Sequence, residues 1–385
     1  MNNNEKIYWL AWSKIKGVGA SSLKKIYDHF GSVEAAWRAS PKEFGAIPGI
    51  NQKILNAIIG GKPKINPENL YKEHLKKNPK FLTPTDEQYP QLLLEIPSPP
   101  PVLYYKGTIN IQESKGIIPA IAIVGTRSPT EHGRRWTYNV SKALAQKGFT
   151  IVSGLAEGID SYAHRGCLDG GGKTVAVLGN GLDRAYPRCN QSLMEEIAAK
   201  GLILTEYEYG MNPERGNFPA RNRIIAGMCR AVLIMEAPEK SGALITAYYA
   251  NEFNRDVYIL PNSPDEPKAR GCLRLIHNGA QVIISEEELL TNLGAIPQIE
   301  QLQPQQLSLF SPKDSNPQPN TPPTPLSPLS PKEEQVYGVI QKDPLPLDLI
   351  VHLSGLEAKE VSSILLQLEL AGLISQLPGM MYCRC

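Results

Sequence analysis

Apolar positions divide this chain into stretches of different period. Near the N-terminus Leu23, Ile26, Tyr27 and Phe30 recur at helical spacing after a glycine turn, Gly17-Val18-Gly19. A second copy follows, with Phe44 to Ile50 around Pro48-Gly49 and then Ile54 and Ile58. From Ile117 to about Leu293 the pattern becomes short apolar runs alternating with amphipathic segments. Strands are expected at Ile121–Val124, Thr150–Val152, Thr174–Leu178, Leu202–Thr205, Ala231–Met235, Val257–Leu260 and Gln281–Ile284. Helices are expected from Pro129 or Thr130 to about Lys147, through Asp160 and His164, near Gln191–Lys200, over Phe218–Met228 and from Ser241 onward. That alternation predicts an α/β domain with a parallel, doubly wound sheet. Its strand-ending loops, several of them glycine-rich, converge on one crevice at the carboxyl edge.

The two N-terminal copies resemble tandem helix-hairpin-helix units. Two roles fit them: holding a DNA phosphate on the turn amides, helped by Lys14, Lys16, Lys24 and Lys25, or packing alone. Residues 61–78 read as a polar linker plus one helix. Phe81 to Lys106 is proline-rich yet aromatic, which suits a flap and edge strand. Residues 294–331 hold ten prolines among Gln and Ser, a composition that cannot bury a core and reads as a disordered tether. Three helical runs and a Pro378-Gly379 hairpin follow, an order that resembles a winged helix. The expected domains are 1–70 (helical, helix-hairpin-helix or SAM-like), 78–293 (DNA-binding), 294–331 (linker) and 332–385 (winged helix).

Formal net charge is only +2, so a nucleic-acid surface must be a local patch. No apolar run approaches the roughly 20 residues of a membrane helix, and no signal-peptide core follows Met1, so a cytoplasmic protein is expected. The six cysteines are scattered and lack zinc spacing. No metal and no cofactor is expected.

The stretch from Ile121 to Gly133 concentrates the chemistry. A buried strand ends at Gly125, Thr126 and Arg127 follow, and a helix then opens. A strand-to-helix turn of this kind presents free amides and a helix dipole to an anion, and Arg127 adds a planar fork. The dinucleotide fingerprint G-x-G-x-x-G is absent. Between Arg215 and Arg230 four arginines, including Arg221 and Arg223, surround Phe218 with no acidic residue among them. Single strands are held by that combination of charge and a stacking ring. Arg221 and Arg223 have a second reading, as braces for their own loop. Asp160 and His164, four apart on one helix, read as a structural pair rather than an acid–base couple. Glu236, at a strand end beside Ser241-Gly242, is the feature that favours the rival class, a phosphoribohydrolase-like nucleotide-binding enzyme.

Five blocks in order resemble the DNA-processing protein A family, also called DprA or Smf. They are Gly125-Thr126-Arg127-x-Pro129-Thr130; Ser153-Gly154-Leu155-Ala156-x-Gly158-Ile159-Asp160-x-x-Ala163-His164; Ala176 to Pro187; Phe218-Pro219-x-Arg221-Asn222-Arg223 to Gly227; and Glu236-Ala237 to Ala247. Pro261-Asn262 and Leu273 depart from the family's usual residues. The resemblance implies an extended Rossmann-like fold, single-stranded DNA binding, homodimerisation and loading of the recombinase RecA in natural transformation, with no catalytic residue. It also implies that Arg127, Arg188 and Arg215 contact DNA; the residue pattern itself adds Gly125, Thr126, Phe218, Arg221 and Arg223 as candidates. Leu273, Leu275 and Ile276 fit either a dimer face or the core.

Within the tether, Gln306-Leu307-Ser308-Leu309-Phe310 resembles the short peptide by which bacterial replication and repair proteins bind the sliding clamp. Chance, or packing of Leu307 and Phe310 on the folded domain, accounts for it equally simply. The winged helix reads as a partner-binding module, because the balance of Glu357, Lys359, Glu360 and Glu369 on its presumed recognition helix opposes docking on phosphates.

Overall fold

The structure, a computed structural model, describes residues 3–294, 331–340, 345–356, 358–370, 373–377 and 381–384. These fall into two units, the first ending at residue 294 and the second beginning at 331. The tether and its Gln306–Phe310 motif lie outside the described residues.

A nine-stranded sheet forms the body of the first unit. Its strands are β1 (Phe81–Leu82), β2 (Leu103–Gly107), β3 (Ala120–Val124), β4 (Thr150–Ser153), β5 (Thr174–Val177), β6 (Leu202–Thr205), β7 (Ala231–Ile234), β8 (Asp256–Ile259) and β9 (Gln281–Val282). They lie in the order β1-β2-β6-β5-β4-β3-β7-β8-β9. The pairings from β6 to β9 are parallel, and only β1 with β2 and β2 with β6 run antiparallel. β3 is central, with Ile121 opposite Ile151 on one side and Ala231 on the other. Helices cover both faces, so Ile121–Val124 are buried and the strand is an unbroken apolar run. The chain leaves β3 toward β4 and later returns as β7 on the other side. Strand order reverses between β3 and β7, and a ligand crevice is expected at their carboxyl ends.

The N-terminal helices pack around Trp12, Leu23, Ile26, Val33, Phe44 and Ile58. Leu10 reaches across to Phe81, Val102 and Tyr104, joined by Leu70, Tyr71 and Leu75 of the helix Pro67–Lys77. Of the lysines expected beside the hairpin turns, Lys14 pairs with Glu208, and Lys24 donates to the Leu94 carbonyl at 3.2 Å. The Lys25 ammonium lies against Gly49, where φ is +83°.

Tyr89, Leu93 and Ile96 of the proline-rich segment enter the main core beneath the helix Asn217–Met228, with Tyr89 donating to the Pro100 carbonyl at 2.9 Å. Leu275 and Ile276 also pack on that core. The second unit has helices Pro331–Val339, Leu347–Ser354 and Ala358–Leu370 and a sheet of β10 (Leu345–Pro346), β11 (Ile374–Leu377) and β12 (Met381–Arg384). Its order is β10-β12-β11, antiparallel throughout. Val336, Ile350, Leu365, Leu368 and Tyr382 form its core. That is a winged-helix arrangement.

Candidate nucleic-acid interface

A cleft of about 510 Å³ opens at the carboxyl ends of β3 and β7. Gly125, Thr126 and Arg127 follow β3, Tyr186 comes from the loop after β5, Arg215 from the loop after β6, and Lys240 from the loop after β7. The helix Asn217–Met228 contributes Phe218 at its start, and its Pro219 sits in the first turn where no amide partner is needed.

Phe218 is the hub. The Arg127 guanidinium carbon lies 5.6 Å from the centre of its ring, and the Tyr186 ring is 5.2 Å away at an interplanar angle of 33°. Tyr186 is 42% exposed, so its free face is open to stack on a base. Arg127, Arg215 and Lys240 are exposed, with no carboxylate partner among the described residues. Asp160 is the one acidic residue in the lining and is buried. The cleft therefore offers cations along an aromatic platform, as a polyanion with stacking bases requires.

Two of the expected DNA contacts have internal partners instead. Arg221 is only 4% exposed; it donates to the Gly154 carbonyl at 2.9 Å and also to the Val177 carbonyl, tying the ends of β4 and β5 together. Burial lowers its pKa to about 10, against the favourable charge of Asp160, and it stays cationic at neutral pH. Asp160 accepts from the Gly154 and Ala156 amides at 3.1 and 3.2 Å; burial raises its pKa and Arg221 opposes that. Arg223 makes a two-pronged bridge to Glu206, at 3.1 and 2.7 Å, away from the cleft. Both arginines make bracing contacts, and Arg221 lines the cleft as well. Arg188 is exposed on the turn Arg188–Asn190 and is not part of the cleft wall. Tyr186 and Lys240 are the additions; the sequence signal for them was only their place in strand-ending loops.

The anion site expected at the start of the helix Glu131–Gln146 is already filled from within. Glu236 is 1% exposed, and its carboxylate accepts from the Thr130 amide at 3.0 Å and the Thr130 hydroxyl at 2.8 Å. Thr130 in turn caps Gly133 at 3.1 Å. The expectation of an open phosphate cradle there is corrected: the dipole is met by a side chain of the same protein. The same contact turns Glu236 away from the ribose role on which the hydrolase alternative depended. Asp160 and His164 do not form the expected pair either. His164 is fully buried with Nδ1 2.7 Å from the Thr174 hydroxyl, which donates onward to the Ile151 carbonyl. That chain makes Nδ1 the protonated nitrogen, and burial lowers the ring's pKa to about 3.

Residues 80–294 match the model of the family described as DNA recombination-mediator protein A. The chain belongs to that family. Residues 320–380 match the DprA winged helix domain, and 12–60 match a SAM-like helix-hairpin-helix tandem. Protein Smf of Synechocystis sp. is 54% identical over 400 residues, covering 100% of both chains. DNA processing protein DprA of Streptococcus pneumoniae is 41% identical over 227 residues, 59% of this chain and 78% of that one. The X-ray structure of DNA processing protein A from Streptococcus pneumoniae superposes with a TM-score of 0.64 at 35% identity, covering 75% of this chain and 97% of that one. A structure of DNA processing protein A from Helicobacter pylori, titled for its single-stranded DNA binding mode, gives 0.50 at 32% identity, covering 56% and 97%. Among the described residues no helix is long and apolar enough to cross a membrane.

Proposed function

We propose that this protein binds single-stranded DNA in the cleft at the β3/β7 switch point and acts as a recombination mediator, protecting the strand and loading RecA on it in natural transformation. The observation that carries the reading is the platform itself: the Phe218 and Tyr186 rings tilted together at 5.2 Å, flanked by Arg127, Arg215 and Lys240, which have no carboxylate partner among the described residues. Charge on one side and ring faces on the other suit a flexible polynucleotide of any sequence. Membership of the recombination-mediator family supports the mediator role, as do the named relatives. Cytoplasmic location, homodimerisation and RecA as partner rest on that kinship. The chain acts by binding rather than by catalysis: Glu236, Asp160 and His164 each hold a structural contact.

Fluorescence anisotropy with labelled oligonucleotides across a salt series tests the site. Affinity falls as salt rises, by about 0.7 in log–log slope per phosphate neutralised. Arg127→Glu with Arg215→Glu abolishes binding at moderate salt. Wild-type affinity in that variant would refute the assignment.

A further inference from the structure

A second pocket adjoins the cleft across Arg127. Its volume is about 410 Å³, within the roughly 300–1,000 Å³ of small-molecule sites. Arg127, Arg134, Glu157, Ser161, Tyr162 and Arg165 line it. The wall between the two spaces is rigid. Gly158 has φ +81°, and a Cβ there would come within 2.5 Å of the Thr126 and Arg127 carbonyl oxygens. The Ile159 amide donates to the Thr126 carbonyl at 3.1 Å, so the backbone under Arg127 is pinned on this side.

Two of the three cations of this pocket come from helices packed together, and Arg127 comes from the loop after β3. Arg134 lies one turn into Glu131–Gln146, and Tyr162 and Arg165 lie one turn apart on Ile159–Asp169. Arg165 is exposed and has no partner among the described residues. Arg134 has only a long contact to Glu131, 3.9 Å, on a largely exposed carboxylate. Three guanidinium groups against Glu157, beside a half-buried tyrosine ring, repeat the chemistry of the main cleft at smaller scale. Neither the fold nor the bracing network uses Arg134 or Arg165.

We propose that this pocket is a second nucleotide subsite for the same strand, which crosses the Arg127 ridge and continues against Arg134, Tyr162 and Arg165. The proposal rests on the single-strand reading of the main cleft. It makes Arg127 the shared cation of two consecutive phosphate positions and sets a longer footprint than the main cleft alone. Arg134 and Arg165 neutralise phosphate, and Tyr162 provides a ring for one base.

The test uses the full-length chain and labelled oligodeoxythymidylates from 4 to 12 nucleotides. In the wild type, affinity climbs with length beyond the shortest strands. Arg134→Ala with Arg165→Ala leaves the 4-mer within about twofold and removes about tenfold from the 12-mer, while the 12-mer salt slope falls by about 1.4. Tyr162→Ala weakens the 12-mer about tenfold with the salt slope unchanged, because stacking carries no counterion release. A double variant that keeps the wild-type 12-mer affinity and slope overturns the subsite, whether the pocket then serves an acidic protein segment or nothing. Failure of the wild type to bind either length would instead refute the main cleft, so the two readings fail separately.

Discussion

The Glu236 carboxylate sits on the hydroxyl and amide of Thr130, 2.8 and 3.0 Å away, and so closes the helix that begins one residue later. A loop leaving β7 thereby anchors the loop leaving β3. A Cβ at Gly133, in the first turn of the helix, would displace that carboxylate. Glu236→Ala removes a buried acceptor from two donors and should cost about 1–3 kcal/mol of stability in urea unfolding. Glu236→Gln keeps an acceptor and should cost less. Neither variant changes any release of base from nucleoside monophosphates. A protein that shows such release, and loses it in Glu236→Ala, would be an enzyme.

Arg221 holds the ends of β4 and β5 and lies close to Asp160, both side chains being buried at the wall of the cleft. Arg221→Met leaves that carboxylate buried and uncompensated, and should destabilise the first unit by about 3–5 kcal/mol. Arg127→Met, on the surface of the same cleft, should change stability by under about 0.5 kcal/mol while weakening DNA binding. Parallel unfolding and anisotropy measurements separate the brace from the contact. Equal losses of affinity at matched folded fraction would return Arg221 to the contact set.

His164 and His74 are buried, and burial lowers their pKa values to about 3 and about 4. In the unfolded chain each would protonate near the ordinary value of about 6.5. Between those limits the unfolded state binds more protons, so stability is full above about pH 6.5 and falls as pH drops. The slope approaches about 1.4 kcal/mol per pH unit for each histidine. Unfolding between pH 7.5 and 5.5 measures it, a range above the main carboxylate titration. His164→Leu should lower overall stability yet flatten the pH slope by about half; an unchanged slope would show that His164 protonates freely.

Strand positions and the switch-point crevice were readable from the chain because parallel strands buried on both faces are plain apolar runs, as Ile121–Val124 shows. Arg127 and Phe218 were readable because each sits beside a strand end or helix start. What periodicity could not give was the direction of a charged side chain. Arg221 lies one turn from Phe218 on the same helix and also lines the cleft, yet its guanidinium donates inward to the Gly154 and Val177 carbonyls. Arg223 found Glu206, 17 residues away, across a loop whose path the sequence does not specify. Glu236 and Thr130 are 106 residues apart, so only the β3–β7 adjacency brings them together.

The last prediction concerns what the N-terminal helices do for the cleft. The loop between Thr205 and Asn217 carries Arg215 and leads into Phe218, and it is held at several points. Glu208 pairs with Lys14, the Tyr209 amide donates to Asn78 at 2.9 Å, and the Gly210 amide donates to Asp183 at 2.9 Å. Two of these anchors, Lys14 and Asn78, precede the sheet in the chain. Burial lowers the Lys14 pKa, as suits an ammonium held between two layers rather than one waiting for phosphate. Lys14→Met keeps the apolar stem and removes the anchor, and Glu208 is exposed enough to be solvated without it. A loosened loop should weaken single-strand binding by about three- to fivefold, yet leave the salt slope as in the wild type, since no phosphate contact is lost. If Lys14 touched DNA instead, the slope would fall by about 0.7 with the affinity. Anisotropy over a salt series distinguishes the two, and a reduced slope would reassign the first hairpin turn from support of the loop to contact with the strand.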